Sequence, residues 1–299
     1  MELDSEQRLV VDYEDSCLVV AGPGSGKTRT LVAKAQKLWE DNKDLICLTF
    51  TRAAAQELRD RMPGIKAQTI HSYCHEEVGW LGNYDKLLYA YLDRDGKYQY
   101  EWVLCDEVQD LTEEELEVVL SIRGDKLFMV GDPYQSIYGW NGALGMKVFD
   151  KLKDIGRFEL KNNYRSSPII VEWLNSIYPR GLVSSNIVRN GVTAILARTN
   201  RVVWEVTQIL EEANIGYTVR VGASELVDKK EEFCGSDTLK VMTCHCSKGL
   251  EFDRVILHKW YPEPFWGEEK NIYYVAVARA SLGFCSTWTG SRLLGALKG

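Results

Sequence analysis

The stretch GPGSGKT at residues 22–28 restricts what this chain can fold into more than any other. It sets Gly22, Gly26, Lys27 and Thr28 at the spacing G-x-x-x-x-G-K-[ST]. A near-continuous apolar run, CLVVAG (17–22), precedes it, and a helical pattern over 28–40 follows. In a strand–loop–helix of this kind the glycines let backbone N–H groups wrap phosphates, and the helix N-terminus adds partial positive charge. Gly22, Gly24, Gly26, Lys27, Thr28 and Arg29 are therefore candidate nucleotide-binding residues. Lys27 is placed to reach the β and γ phosphates of ATP and the Thr28 hydroxyl to ligate Mg²⁺.

A phosphate loop of this type needs a second carboxylate for the metal. WVLCDEVQD supplies one, with apolar strand residues ending in Asp106 and Glu107. Neighbouring residues at a strand tip can diverge, so Asp106 can join the Mg²⁺ shell while Glu107 faces an attacking water. That division of labour fits hydrolysis better than transfer to a small substrate.

The wider pattern alternates short β-rich runs with helical stretches. Strands are expected at 17–22, 45–50, 101–107 and 126–132, then at 156–160, 193–199, 216–221, 239–245, 254–260 and 284–288. Helices are expected at 28–40, 52–62, 113–122, 167–177, 201–213 and 269–280. Apolar strands alternating with helices imply parallel sheets covered on both faces. Ten strands are too many for one small sheet, so two α/β lobes are expected, 1–155 and 156–299, divided where KDIG breaks the pattern. Ligands of such sheets lie beyond the carboxyl ends of the strands, where the motifs fall.

Composition adds exclusions. No apolar run reaches the roughly 18 residues that span a bilayer, and the acidic N-terminus is unlike a secretory signal, so a cytoplasmic, non-secreted protein is expected. The 8 cysteines form no C-x-x-C pair, and CHC at 244–246 does not fill a zinc site. A net charge of −7 speaks against a whole-protein clamp for nucleic acid but not against a local groove. Large aromatics in VGDPYQSIYGW (130–140), just past a polar turn, are not obvious core.

AGPGSGKT, TFTRAAAQEL, TIHSYC, CDEVQD, VGDPYQSIYGWNGA, LKNNYRSSPII, AILARTN, VMTCHCSKGLEFDRVI and YVAVARA occur in this order. Together they resemble the motif series of UvrD/Rep-type superfamily 1 DNA helicases, from the first ten residues to about residue 281. The resemblance implies two RecA-like P-loop lobes, with nucleotide in the cleft between them. It implies that Gln7 reads the adenine edge, Tyr164 stacks on the adenine face and Glu251 touches the ribose or nucleotide edge. Gln135 would sense the γ-phosphate, and Arg165 and Arg279 would be arginine fingers. An arginine at the γ-phosphate is typically worth ~10³–10⁵ in rate. Tyr138 and Trp140 would be base-stacking platforms for single-stranded DNA, with Phe50 as companion. Thr51, Arg52, Thr69, His71, Thr243 and His245 would contact its backbone.

The sequence departs from that family in places. Only residues 75–100 separate TIHSYC from EWVLCDE, and only 200–238 separate AILARTN from LKVMTCH, where family members carry subdomains. Asn141 stands where arginine is frequent and Ala278 where threonine is usual. The implied activity is an ATP-driven motor on single-stranded or tailed duplex DNA, moving 3′ to 5′ as a monomer, with ATP and Mg²⁺ as cofactors. The rival is an ATP-gated switch or loader that meets DNA or a partner protein without processive unwinding.

Overall fold

The computed structural model describes residues 2–185, 191–220, 239–260 and 267–298. The chain divides into two compact units, Met1–Lys161 and Asn162–Gly299.

The first unit runs α1 (Ser5–Asp12), β1 (Cys17–Ala21), α2 (Lys27–Glu40), β2 (Leu45–Thr49), α3 (Arg52–Arg61), β3 (Ala67–Thr69), α4 (Ile70–Val78), α5 (Tyr84–Leu92), β4 (Tyr100–Cys105), α6 (Glu113–Ser121), β5 (Arg123–Gly131), α7 (Met146–Lys151) and β6 (Gly156–Leu160). Its six strands form one parallel sheet in the order β3-β2-β4-β5-β1-β6. The strands read as unbroken apolar runs because both faces are covered. On β1, Leu18 and Val20 enter one core cluster while Cys17, Val19 and Ala21 enter the other. Ile46 and Leu48 of β2 alternate with Leu45 and Cys47 in the same way, as the two-residue period of a strand requires. Fully burying each valine, leucine or isoleucine among them is worth roughly 1.5–3 kcal/mol.

One expectation is corrected here. Strand 156–160 was assigned to the second lobe and the boundary to residue 155, but this strand is β6, paired along its length with β1. Without it β1 would be an open edge, although all five of its residues are buried. The Gly22 N–H also donates to the Leu160 carbonyl at 3.4 Å, so β6 reaches the phosphate loop.

The second unit contains β7 (Asn162–Asn163), α8 (Pro168–Ile177), β8 (Val183–Ser184), β9 (Thr193–Ala197), α9 (Asn200–Glu212), β10 (Tyr217–Arg220), β11 (Leu239–Thr243), one helical turn α10 (Cys244–Ser247), β12 (Phe252–His258), α11 (Glu268–Val277), β13 (Ala280–Thr287) and α12 (Gly290–Lys298). Its main sheet is parallel, in the order β10-β11-β9-β12-β13. Ile195, Val206, Leu210, Val241, Ile256 and Leu293 anchor the core on the α9 and α12 face. The short segment expected to replace a subdomain, ELVDKKEEFCGSD (225–237), lies outside the described residues. Of the aromatics in HKWYPEPFWGEEKN, Trp260 is 5% exposed with its ring 6.1 Å from Tyr273, while 261–266 lie outside the described residues.

Candidate nucleotide and nucleic-acid sites

The loop between β1 and α2 is positioned from two sides. Gly24 (φ +68°) and Gly26 (φ +80°) take left-handed backbone, which glycine adopts at little cost. At Gly26 a Cβ would lie 2.6 Å from Gln7 Nε2, so the close approach of α1 also demands glycine. Gln7 is 1% exposed; its Nε2 donates to the Ser25 carbonyl at 3.0 Å, and its Oε1 accepts the Asp4 N–H in the capping box that starts α1. The residue expected to read adenine thus ties α1 to the phosphate loop. Buried Lys34 fastens the far end of α1 to α2 by donating to the Val11 and Tyr13 carbonyls.

Thr28, the first-turn hydroxyl of α2, donates to Asp106 Oδ2 at 3.1 Å. Cis ligands of a Mg²⁺ with oxygens at about 2.1 Å stand about 3 Å apart, so this pair fits one ion. Asp106 is 2% exposed. Burial first, then the charge of Glu107, pushes its carboxyl up to about 7, opposed by Lys27. A divalent cation reverses that balance.

Glu107 sits on left-handed backbone (φ 54°, ψ 45°). A non-glycine residue held there costs roughly 1–3 kcal/mol, and such strain gathers at functional sites. What holds it is Gln109, which sequence reading did not single out. Fully buried, Gln109 donates through Nε2 to Glu107 Oε2 at 2.5 Å and accepts the Asp132 N–H on Oε1 at 2.9 Å. Asp132 Oδ2 in turn accepts from Gln135 Nε2 at 2.8 Å. A hydrogen-bonded path therefore runs from Glu107 through Gln109 and Asp132 to Gln135. Gly131 makes room for it, since a Cβ there would lie 2.6 Å from Gln109 Oε1. The signals were present in the sequence: a glutamine two residues past Glu107, and a glycine ending the neighbouring strand.

The aromatics past β5 lie on the surface of the first unit. Trp140 is 71% exposed. Tyr138 stands between it and Phe50, with ring centroids 6.3 Å and 5.6 Å away. This excludes a core role for Trp140 within the unit. Thr51 and Thr69 cap α3 and α4, accepting the Ala54 and Ser72 N–H groups at 3.1 Å each. Arg52 is exposed. His71 lies 3.3 Å from Glu115 Oε1, and burial lowers its pKa. These residues line one face of the unit, and the caps show that Thr51 and Thr69 also do structural work.

In the second unit, buried Asn163 accepts the N–H groups of Arg165 (2.9 Å) and Ser166 (2.7 Å), which turns the chain and presents Arg165. Arg165 Nε donates to Glu251 Oε2 at 2.5 Å, so an expected finger and an expected nucleotide contact meet as an ion pair. Tyr164 beside them is half-buried. Arg279 is 2% exposed and donates to the Val275 and Leu250 carbonyls at 3.2 Å and 3.0 Å. Thr243 caps α10 by accepting the Cys246 N–H at 3.4 Å, and His245 is half-buried beside it. Among the described residues no cluster of three or more histidines, cysteines and carboxylates could hold a metal, and no helix is long and apolar enough to cross a membrane.

A P-loop closing a central parallel strand, and a second parallel sheet after it, define a P-loop protein of two RecA-like lobes. Residues 7–141 match the AAA domain family, and residues 222–288 match the UvrD-like helicase C-terminal domain. These matches support a UvrD-like superfamily 1 helicase. A probable DNA helicase of Mycoplasma pneumoniae is 26% identical over 221 residues, covering 60% of this chain and 42% of that protein. Gabija protein GajB of Bacillus cereus is 24% identical over 237 residues, 57% of this chain and 48% of its own. This chain thus spans less than half the length of either relative. The DNA helicase PcrA of Leuconostoc citreum is 29% identical over 137 residues, 40% of this chain and 18% of PcrA. Among solved structures, a Pif1 helicase studied at forked duplex DNA aligns at TM-score 0.55 and 15% identity, covering 100% of this chain and 97% of its own. The arterivirus nonstructural protein 10 helicase in complex with DNA aligns at TM-score 0.55 and 15% identity, covering 98% and 65%. At that identity the likeness speaks for the fold alone.

Proposed function

We propose that this chain is an ATP-driven motor on single-stranded DNA, moving 3′ to 5′. The observation that carries the reading is the Thr28–Asp106 contact at the end of the phosphate loop, with Glu107 held beside it by Gln109. In this reading Lys27 and the loop of Gly22, Gly24 and Gly26 bind the phosphates, with Arg29 on the next turn. Thr28 and Asp106 would hold Mg²⁺, which would supply positive charge against the phosphate oxygens. Glu107 orients the attacking water, and Gln135 registers the γ-phosphate and passes its state to Glu107 through Asp132 and Gln109. Arg165 and Arg279 stabilise transition-state charge, with Arg165 released from Glu251 when it does so. Gln7 and Tyr164 recognise adenine. Phe50, Tyr138 and Trp140 stack on bases, and Thr51, Arg52, Thr69, His71, Thr243 and His245 contact the strand backbone.

ATP hydrolysis measured with and without single-stranded DNA, on duplexes tailed at either end, tests the reading. Stimulation with release of the 3′-tailed duplex supports it; ATP turnover indifferent to DNA would overturn it. A second reading, an ATP-gated loader, draws support from residues 75–100 forming little more than the end of α4 and α5. Stimulation without strand release from either tail would favour it.

A further inference from the structure

A groove of about 1400 Å³ crosses the first unit. Phe50 and Arg52 line it, and so do Trp80, Tyr84 and the carboxylate side of α6. Trp80 and Tyr84 have no part in the reading above. Both are large aromatics left about half exposed, at 54% and 49%. Their placement is built. Trp80 projects from a turn whose Gly79 and Gly82 both take positive φ (+77° and +79°). Asn83 caps α5 by accepting the Asp85 N–H at 2.7 Å, which fixes Tyr84 at its first position. The Trp80 and Tyr84 rings meet at 5.3 Å, Tyr84 meets His71 at 5.0 Å, and Arg52 Nη2 donates to the Tyr84 hydroxyl at 3.4 Å.

The charges around the rings select the occupant. Arg52 lines the groove together with the carboxylates Asp85, Glu113, Glu114 and Glu115. Glu114 accepts the Tyr89 hydroxyl at 2.9 Å, and backbone and tyrosine donors lower its pKa, keeping it ionised. A phosphate chain is attracted to Arg52 and repelled by the carboxylates, which exocyclic amines of bases can face. A duplex would bring a second phosphate chain against those carboxylates. Stacking on exposed rings also needs unpaired bases.

We propose that Trp80 and Tyr84 form a further base-binding ledge, which takes an unpaired base of the same strand that Phe50, Tyr138 and Trp140 hold. This rests on the nucleic-acid reading above and extends the strand's path along the groove.

The test is the affinity of the full chain for fluorescent oligodeoxycytidines of graded length, read by anisotropy. Trp80→Ala and Tyr84→Ala should weaken binding of long strands roughly five- to a hundredfold, and the loss should vanish for strands too short to leave the Trp140 cluster. Tyr84→Phe should restore most of the loss. If Trp140→Ala weakens binding while Trp80→Ala and Tyr84→Ala do so at no length, the ledge is wrong and the wider reading stands. If the unaltered chain fails to bind any strand, both fall. A strand carrying 5-iodouracil, photocrosslinked to the unaltered chain, answers without substitution. Adducts at Trp80 or Tyr84 support the ledge; adducts confined to Phe50, Tyr138 and Trp140 overturn it.

Discussion

Gln109 is fully buried and touches polar groups at both ends, donating to Glu107 and accepting from the Asp132 N–H. Replacing it by leucine leaves that N–H buried and unsatisfied, at about 1–3 kcal/mol, and frees Glu107. Gln109→Leu should therefore unfold at lower denaturant and hydrolyse ATP at least about tenfold more slowly, with ATP affinity little changed; stopped-flow binding and steady-state turnover check this. Gly131→Ala attacks the same path through volume, because its Cβ would lie 2.6 Å from Gln109 Oε1 and 2.7 Å from Val108 Cγ2. A loss of about 1–3 kcal/mol is expected in denaturant titration. Lys27→Ala should keep the far-UV circular dichroism and lose ATP turnover; normal turnover would remove the P-loop from the mechanism. At this scale the sequence made Lys27, Thr28, Asp106 and Glu107 legible, because a phosphate and a metal demand those types at strand ends. It left Gln109 and Asn163 unread, since their value lies in which groups the fold brings to them.

Helix α6 carries a capping box in which Glu115 reaches back to the Thr112 N–H at 2.9 Å. Burial of that carboxyl raises its pKa from 4.5 to about 7. A raised acid binds its proton more tightly in the native state, so stability is fully present below the ordinary value and is lost as pH rises through the folded value. Asp106 contributes in the same sense. The denaturant midpoint should fall between about pH 4 and pH 7. Glu115→Gln keeps the cap, because glutamine serves at that position, and should remove part of the slope; an unchanged slope would show that Glu115 is not the titrating group. Elements with strong local signals, α2, α6 and the central strands, were readable from the sequence. The pair α4 and α5 was not, because Ile70, Tyr73, Cys74, Leu87, Leu88 and Tyr91 earn their burial by packing together with the sheet.

The whole chain carries a net charge of −7, and its expected DNA face is more aromatic than basic. Affinity for single strands should then fall gently with salt, with a log–log slope shallower than about −3, as fewer than about four phosphates are neutralised. A steep slope in titrations from 50 to 200 mM salt would point to a basic track elsewhere. The two-lobe plan was legible because apolar strands alternate with helices; the boundary was not, because no local pattern says which sheet 156–160 joins. Its place beside β1 has a consequence for how the lobe is made. Residues 17–21 are synthesised before both of their ladder partners, 128–131 and 156–160. At ordinary elongation rates the strand that carries the phosphate loop waits on the order of ten seconds for its neighbours. For that interval Cys17–Ala21 is an unpaired apolar ribbon in the nascent chain, and a chaperone has a client there that the finished lobe no longer displays. A fragment halted at residue 155 would pair this strand with β5 but leave its other edge open permanently, and one halted at 161 would cover that edge; sedimentation of the two fragments after synthesis in a chaperone-free extract separates them.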